Sequence, residues 1–426
     1  MSLDQLIQLR QAAREIFDAA LSAVDAREVT ARAVSDLKTQ SPIYALSIGK
    51  AALPMAIALD ERFGGQINKG ILTCSDQSVT DLSTNWQRFA GAHPLPNDES
   101  LQAAQAAFQL LEKANAERAL VVFLVSGGGS AMIEWPTNPD ITLPDLQKAN
   151  RILVSCGATI TEINAVRRAF SAVKGGKLAR RAPNAQILTL IISDTNHGDE
   201  ASVASGPSLL PALDSPTAKE IVEKYQLGEL LPPSIVRRTE QTFERVNSLE
   251  NDLGHAVLAD NETAMNAAFA KAHALGFQPL FGKEISEQPI AEGCEQLIER
   301  VSSEGTPVCL VSGGEFSCPV RGDGRGGRNL ETALRCAIKL DQSTANHHTV
   351  VLSAGTDGID GNSPATGAVA DETTLTRARA LGLDAADFLA RSDSYSFFEK
   401  LGDAIITGPT GTNVRDLRVV LKTEPL

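Results

Sequence analysis

The chain has no apolar run approaching the ~18 residues that a membrane-spanning helix requires, which excludes a helical integral membrane protein. Its opening residues are interrupted by Asp4, Arg10, Arg14 and Glu15, so they do not read as a signal peptide. The six cysteines (74, 156, 294, 309, 318, 336) include no C-x-x-C pair, and several sit in apolar runs. They read as reduced core residues of a cytoplasmic protein. Positive charge is also short: 39 Lys and Arg stand against 52 Asp and Glu, a net charge of −13. That balance argues against nucleic acid and against an anionic membrane surface as partners. An anionic substrate must then be held by a local cationic cluster or a divalent metal.

Several nucleotide signatures are missing as well. There is no G-x-x-x-x-G-K-[ST] loop, no protein-kinase motif set and no good G-x-G-x-x-G fingerprint. The stretch Gly322-Asp323-Gly324-Arg325-Gly326-Gly327 fits the last only loosely and does not directly follow a strand. No thiol–histidine pairing or zinc spacing stands out.

What is present is a globular composition, 43% hydrophobic and 21% charged over 426 residues, for which two domains is the natural prior. The organising stretch runs from Leu310 to Glu331. An apolar strand, Val308 to Val311, meets Ser312-Gly313-Gly314; a loop carrying Arg321, Asp323, Arg325 and Arg328 among four glycines follows; a helix begins near Asn329. Backbone N–H groups and a positive dipole end aimed at an anion are one reading. A hairpin with solvated arginines is the other.

The same design recurs along the chain. Residues Leu3 to Leu37 show helical spacing of Leu6, Leu9, Ala13, Phe17, Ala20 and Val24, a helix or helix pair covering a sheet. A strand at Ile43–Ile48 delivers Gly49-Lys50, and one at 119–125 delivers Ser126-Gly127-Gly128-Gly129-Ser130. A strand at 185–192 delivers Asp194, suited to magnesium, to a hydroxyl proton, or to a turn. His93, in Gly91-Ala92-His93-Pro94, either touches ligand or is structural. A long helical region after Pro144 carries Arg167 and Lys174, read as anion contacts or as a solvated face. Between Leu209 and Glu250 the chain turns polar and Pro-punctuated, which places a domain junction there and gives domains 1–240 and 241–426. Beyond it, a strand ending near Ser353 leads to Gly355-Thr356-Asp357-Gly358-Ile359-Asp360, whose aspartates hold a metal or a nucleotide hydroxyl, or form Asx-turns. Ala404 to Ile406 leads to Gly408-Pro409-Thr410-Gly411-Thr412-Asn413, and Leu417 to Leu421 closes the pattern as a strand. Five such turns predict an α/β protein of two doubly wound Rossmann-like domains whose strand ends wall one interdomain cleft. The inventory of glycine turns, Lys, Arg and strand-end Asp is that of phosphoryl transfer, which needs positioning and cations more than covalent help.

In order along nearly the whole chain, S-I-G-K-A-A (47–52), H-P-L-P (93–96), S-G-G-G-S-A (126–131), N-A-V-R (164–167), K-G-G-K-L-A (174–179), S-D (193–194), S-G-P (205–207), S-G-G-E (312–315), G-R-G-G-R-N-L-E (324–331), G-T-D-G-I-D-G (355–361) and G-P-T-G-T-N-V (408–414) resemble the class II glycerate 2-kinases. That is a two-domain family with a C-terminal MOFRL domain, formerly named hydroxypyruvate reductases. The resemblance implies phosphorylation of D-glycerate to 2-phosphoglycerate with ATP and Mg2+. It implies catalytic roles for Lys50, Arg328 and Asp194, with Asp194 and Glu315 as metal candidates. It implies substrate contacts from Ser126, Gly127, Gly128, Ser130, Glu315, Arg325 and Asn329, and nucleotide contacts from Gly355, Asp357, Gly408, Thr410, Thr412 and Asn413. A homodimer is compatible with it. Two departures from the family pattern stand out: Ala169 where a His is usual, and Thr195-Asn196-His197-Gly198-Asp199 in place of the usual segment. The rivals are an NAD(P)H-dependent hydroxypyruvate reductase and a non-catalytic sugar-acid sensor.

Overall fold

A computed structural model of the protein describes residues 3–75, 82–241, 252–342 and 347–424. The chain divides into two compact units, one of Ala26–Leu258 and one joining the first 25 residues to Ala259–Leu426.

The first unit is built on strands β1 (Ile43–Ile48), β2 (Ile67–Cys74), β3 (Trp86–Ala90), β4 (Leu120–Ser126), β5 (Gln186–Ile192) and β6 (Asp252–Ala259). Their order across the sheet is β3-β2-β1-β4-β5-β6, and the pairings from β3 through β5 are parallel. β1 and β4 are buried along their whole length, as continuous apolar runs require when helices cover both faces. The helix at Asp98–Ala116 starts from a capping box on Asn97 and lays its alanine- and leucine-rich face on that core. Strand order reverses between β1 and β4, so the crevice at their carboxyl ends is the ligand position that doubly wound sheets provide.

The second unit carries β7 (Gln278–Phe281), β8 (Val308–Gly314), β9 (His348–Gly355), β10 (Gly367–Asp371), β11 (Ala404–Ile405) and β12 (Asp416–Thr423), ordered β11-β10-β9-β12-β8-β7. Both units are α/β as expected, but this sheet has its own pattern. Only β7 and β8 pair in parallel; β12 lies antiparallel between β8 and β9, and β10 and β11 continue antiparallel beyond β9. The C-terminal strand therefore starts at the edge where β8 and β9 end.

Unit membership departs from the division at 240/241. The amphipathic helix Leu3–Ala23 buries Leu6, Leu9, Ala13, Ile16, Phe17 and Ala20, and it belongs to the second unit. Arg10 ties it there, with Nε 2.5 Å from Asp371 Oδ2 and Nη1 2.6 Å from Asp403 Oδ1. Proximity in sequence had placed this helix with the first sheet; the acidic pair that holds it lies some 360 residues later. β6, beyond the proposed junction, hydrogen-bonds into the first sheet instead.

Candidate active site

In the first unit the turns after β1 and β4 are stitched together. The Lys50 N–H donates to the Gly127 carbonyl at 2.9 Å, and the Ala51 N–H to Ser126 Oγ at 3.0 Å. Gly49 has φ +119°, and a Cβ there would fall 2.4 Å from the Ser126 carbonyl oxygen, so only glycine permits the approach. Ser126 is fully buried and its hydroxyl is engaged with Ala51 N–H and Ile48 C=O. It positions the turns, where the sequence suggested an anion contact. Gly128, at φ +79°, has the Lys50 stem and the His93 ring against it: a Cβ there would lie 3.2 Å from Lys50 Cγ and 3.3 Å from His93 Cδ2. Lys50, His93 and the glycine turn of residues 127–129 are thus brought together at the switch between β1 and β4.

Ser130, half-buried, lies 2.7 Å by its hydroxyl from Ser205 Oγ, which reaches Asn164 Oδ1 at 2.7 Å. Ala204 and Ser205 hold left-handed backbone at φ +50° and +61°. Such non-glycine conformations persist only where surrounding contacts enforce them, commonly at functional sites. Asp194 stands half-buried two residues past the end of β5, and Ile192 there pairs with Ser126. Asp199 is exposed and precedes a 3-10 segment.

The residues 171–178 are not helical; the helix stops at Phe170 and Gly175 and Gly176 turn the chain at φ +67° and +75°. That turn takes Lys174 inward. Neither Lys174 nor Arg167 is solvated. Lys174 Nζ pairs with Glu134 Oε2 at 2.5 Å and donates to the Ser130 carbonyl at 2.7 Å, and burial lowers its pKa. Arg167 Nε donates to Asn150 Oδ1 at 2.9 Å, and burial pushes its pKa down to about 10 despite Glu134. Lys177 is pushed down to about 8 by burial and donates to the Arg168 and Ser171 carbonyls. These cations sit beneath the Ser130 turn as internal scaffolding.

The second unit gathers acids around one guanidinium. Asp416, at the start of β12, pairs across to Gly314 on one side and Gly355 on the other. Arg328 opens the helix Arg328–Gln342, with Nε 2.5 Å from Asp416 Oδ2 and Nη2 2.7 Å from Glu315 Oε1. Burial lowers the Arg328 pKa, but Asp416, Glu315 and Asp360 outweigh it and hold the group above its ordinary value. The sequence offered no sign of Asp416 beyond an acid at the start of the last apolar run.

The helix N-terminus that was expected to face a bound anion already faces one of the chain's own. Buried Asp360 accepts from the Leu330 N–H at 2.8 Å and the Asn329 N–H at 3.2 Å. Burial, with Asp416 adding, pushes its pKa up to about 7 against those N–H groups. Asn329 is buried, held by Asp360 and by Ser353 Oγ at 2.7 Å, and so supports the helix start from within. The glycine-rich loop packs on its own unit: a Cβ at Gly327 would sit 2.4 Å from Asp360 Oδ1. Arg325 is exposed, with its guanidinium 4.6 Å from the Tyr395 ring centroid and its N–H on Asp393.

The nucleotide candidates form one knitted corner. Thr410 Oγ1 donates to the Thr356 carbonyl at 2.5 Å and its N–H to the Asp357 carbonyl at 3.3 Å. Gly358 lies so near the Gly408 carbonyl that a Cβ would be 2.0 Å from it. Thr412 and Asn413 are buried; Asn413 Oδ1 accepts from the Arg415 N–H at 3.4 Å. Asp357 is half-buried beside Gly355 and accepts from the Ile359 N–H at 3.3 Å, an Asx-turn contact. Among the described residues no group of three or more His, Cys, Asp or Glu is arranged to hold a metal ion, and no helix is long and apolar enough to cross a membrane.

Residues 12–240 match the family described as Domain of unknown function (DUF4147), and residues 308–416 match the MOFRL family. The D-glycerate 2-kinase of Thermotoga maritima is 32% identical over 89% of this chain and 90% of its own length. A crystal structure of glycerate kinase from the same organism superposes with a TM-score of 0.84 at 30% identity, covering 97% of this chain and 99% of that one. A provisionally named hydroxypyruvate reductase of Agrobacterium vitis is 35% identical over 88% of this chain and 98% of its own. With one match covering more than half of its residues and the other most of the second unit, the chain belongs to the DUF4147–MOFRL family, the two-domain family of the glycerate kinases.

Proposed function

We propose that this protein is an ATP-dependent glycerate 2-kinase, transferring the terminal phosphoryl group of ATP to the 2-hydroxyl of D-glycerate. The observation that carries this reading is the Arg328 guanidinium, fixed at 2.7 Å from Glu315 and 2.5 Å from Asp416 at the strand ends of its sheet, in a chain similar over 89% of its length to a D-glycerate 2-kinase. A guanidinium oriented by two carboxylates is a preorganised charge, which a transferring phosphoryl group needs. Lys50, on the turn after β1, is a second candidate cation, its turn fixed by backbone contacts and the Ser126 hydroxyl. Asp194 accepts the proton of the 2-hydroxyl as it attacks. The corner of Gly355, Asp357, Gly408, Thr410, Thr412 and Asn413 is the nucleotide side. There Thr412 and Asn413 act by shaping the loop, and Gly355, Asp357, Gly408 and Thr410 by contact.

Mg2+ fits this donor set, since it commonly takes one or two carboxylates and completes its shell with water and substrate phosphates. Asp194 in the first unit or Glu315 in the second would hold it, and when bound it would neutralise charge on the phosphates. The enzyme works, in this reading, with D-glycerate and ATP as its small-molecule partners in the cytoplasm.

The decisive assay couples the reaction to enolase alone, which consumes 2-phosphoglycerate and not the 3-isomer. ATP-dependent signal with D-glycerate is expected. Steady NADH oxidation with hydroxypyruvate and no ATP, abolished by Arg328→Ala, would establish the reductase instead.

A further inference from the structure

Ser130 has a hydrogen-bond polarity set from inside the first unit. Its hydroxyl and that of Ser205 are 2.7 Å apart, so one of them must donate. The direction is settled at Asn164. The Asn164 amide nitrogen donates to the Ser202 carbonyl at 3.3 Å, while Oδ1 faces Ser205 Oγ at 2.7 Å and Arg167 Nη1 at 3.5 Å. Reversing that amide would set its NH2 against a guanidinium that only donates and its oxygen against a carbonyl that only accepts. Asn164 Oδ1 is therefore an acceptor, and the single proton of Ser205 is spent on it. Ser205 Oγ can then only accept, so the single proton of Ser130 is spent on Ser205. The backbone of Ser130 is held from below by Lys174 Nζ on its carbonyl at 2.7 Å. Asn164, Arg167, Lys174 and Ser205 are all buried, which keeps water from reversing the chain of donors.

What Ser130 presents outward is lone pairs. A carboxylate or phosphate, also lone pairs only, is a poor partner for it; a hydroxyl is a good one. The hydroxyl that reacts must lose its proton, and a serine whose own proton is committed inward is no base. We infer that Ser130 accepts a hydrogen bond from the non-reacting 3-hydroxyl of the acceptor and so selects a 2,3-dihydroxy acid, with Asn164 and Ser205 as positioning residues. This rests on the kinase reading above, and it reverses the anion-cradle role first expected of the Ser126–Ser130 turn.

The test is calorimetric binding to the full-length protein in the presence of a non-hydrolysable ATP analogue. The ligands are D-glycerate, D-lactate (which lacks the 3-hydroxyl) and 3-hydroxypropionate (which keeps it). Wild type should bind D-lactate about tenfold more weakly than D-glycerate, the effect of one lost hydrogen bond. Ser130→Ala should weaken D-glycerate and 3-hydroxypropionate by about that factor and leave D-lactate within about twofold. Ser130→Thr, which keeps the oxygen, should retain the preference. Ser205→Ala, which frees the Ser130 proton but leaves its lone pairs, should reduce the preference only in part. Ser130→Cys, whose sulfur is a weak acceptor, should lose most of it and decides the matter if Ser130→Ala fails to fold. Equal weakening of all three ligands by Ser130→Ala, or a glycerate-to-lactate ratio unchanged in Ser130→Cys, would overturn the inference. Wild type that makes no product with ATP strikes the kinase reading itself. Wild type that makes 2-phosphoglycerate with a ratio equal to that of Ser130→Ala strikes only the assignment of Ser130.

Discussion

The two units hold their key cations by opposite means. In the first, Lys50 rides on a turn whose backbone is clamped by neighbouring backbone and by a buried serine hydroxyl: Gly49 against Ser126, Lys50 N–H on Gly127, Ala51 N–H on Ser126 Oγ. In the second, Arg328 is aimed by charge, between Glu315 and Asp416. The sheets explain the difference. Four successive parallel pairings bring glycine turns side by side at the β1/β4 switch, where small residues let backbones touch. The antiparallel insertion of β12 instead delivers the first residue of a strand, Asp416, among the last residues of β8 and β9. A clamped turn positions by sterics and neutral hydrogen bonds; a carboxylate pair positions by charge-assisted ones, which are shorter and stronger but neutralise part of the charge they orient.

That contrast can be broken at several levels. The largest effect is expected from removing the cations: Lys50→Ala and Arg328→Ala should each lower kcat by roughly 10²-fold or more in the enolase-coupled assay, if each stabilises transition-state charge. Unchanged rates in both would end the proposed roles. Removing an aiming group should matter less. Asp416→Asn leaves Arg328 with Glu315 and should lower kcat by roughly tenfold with little change in KM, the signature of a cation slightly out of place.

Ser126→Ala removes a neutral buried contact and should cost about 1 kcal/mol in denaturant titration, with a kcat loss below about tenfold and unchanged glycerate affinity. A rise in glycerate Kd without any change in stability would mean that Ser126 meets the ligand after all. The smallest expected effect is a pH dependence in the second unit. The Asp360 carboxyl is raised to about 7 by burial, against about 3.9 unfolded. The folded state thus binds this proton more tightly, so the contribution is full below about pH 4 and is lost as pH rises through about 7. The thermal midpoint of wild type relative to Asp360→Asn should therefore fall between pH 4.5 and 7.5; a rise over that range would contradict the buried, proton-holding role.

Much of the scaffold was legible because parallel strands buried on both faces must be continuous apolar runs. Ile43–Ile48, 119–125, 185–192 and Val308–Val311 announced themselves in this way. The edge strands Trp86–Ala90 and Gln278–Phe281 did not, being short and partly exposed, nor did Gly367–Asp371, which is buried but lacks a bulky run. The stretch after Phe170 was read as part of a long helical region that Gly175-Gly176 would break or cap; those glycines do turn the chain in left-handed conformation, but the helix already ends at Phe170. The glycine–arginine loop at 321–328 was read as an anion nest on composition. Its glycines in fact permit close packing on residues 360 and 391–394, and Asp360 occupies the helix N-terminus.

The order of residues along the chain was enough to determine that two α/β units would present glycine turns, Lys50 and Asp194 at strand ends and Arg328 close to a helix start, because hydrophobic periodicity and turn chemistry are local. Only the tertiary structure decided that the first helix belongs with the last strands, that Asp416 comes to Arg328, that Arg167 and Lys174 turn inward and that the Ser130 hydroxyl meets that of Ser205. Those outcomes depend on which groups meet across long sequence separations, and on the requirement that every buried charge and every shared proton find its partner.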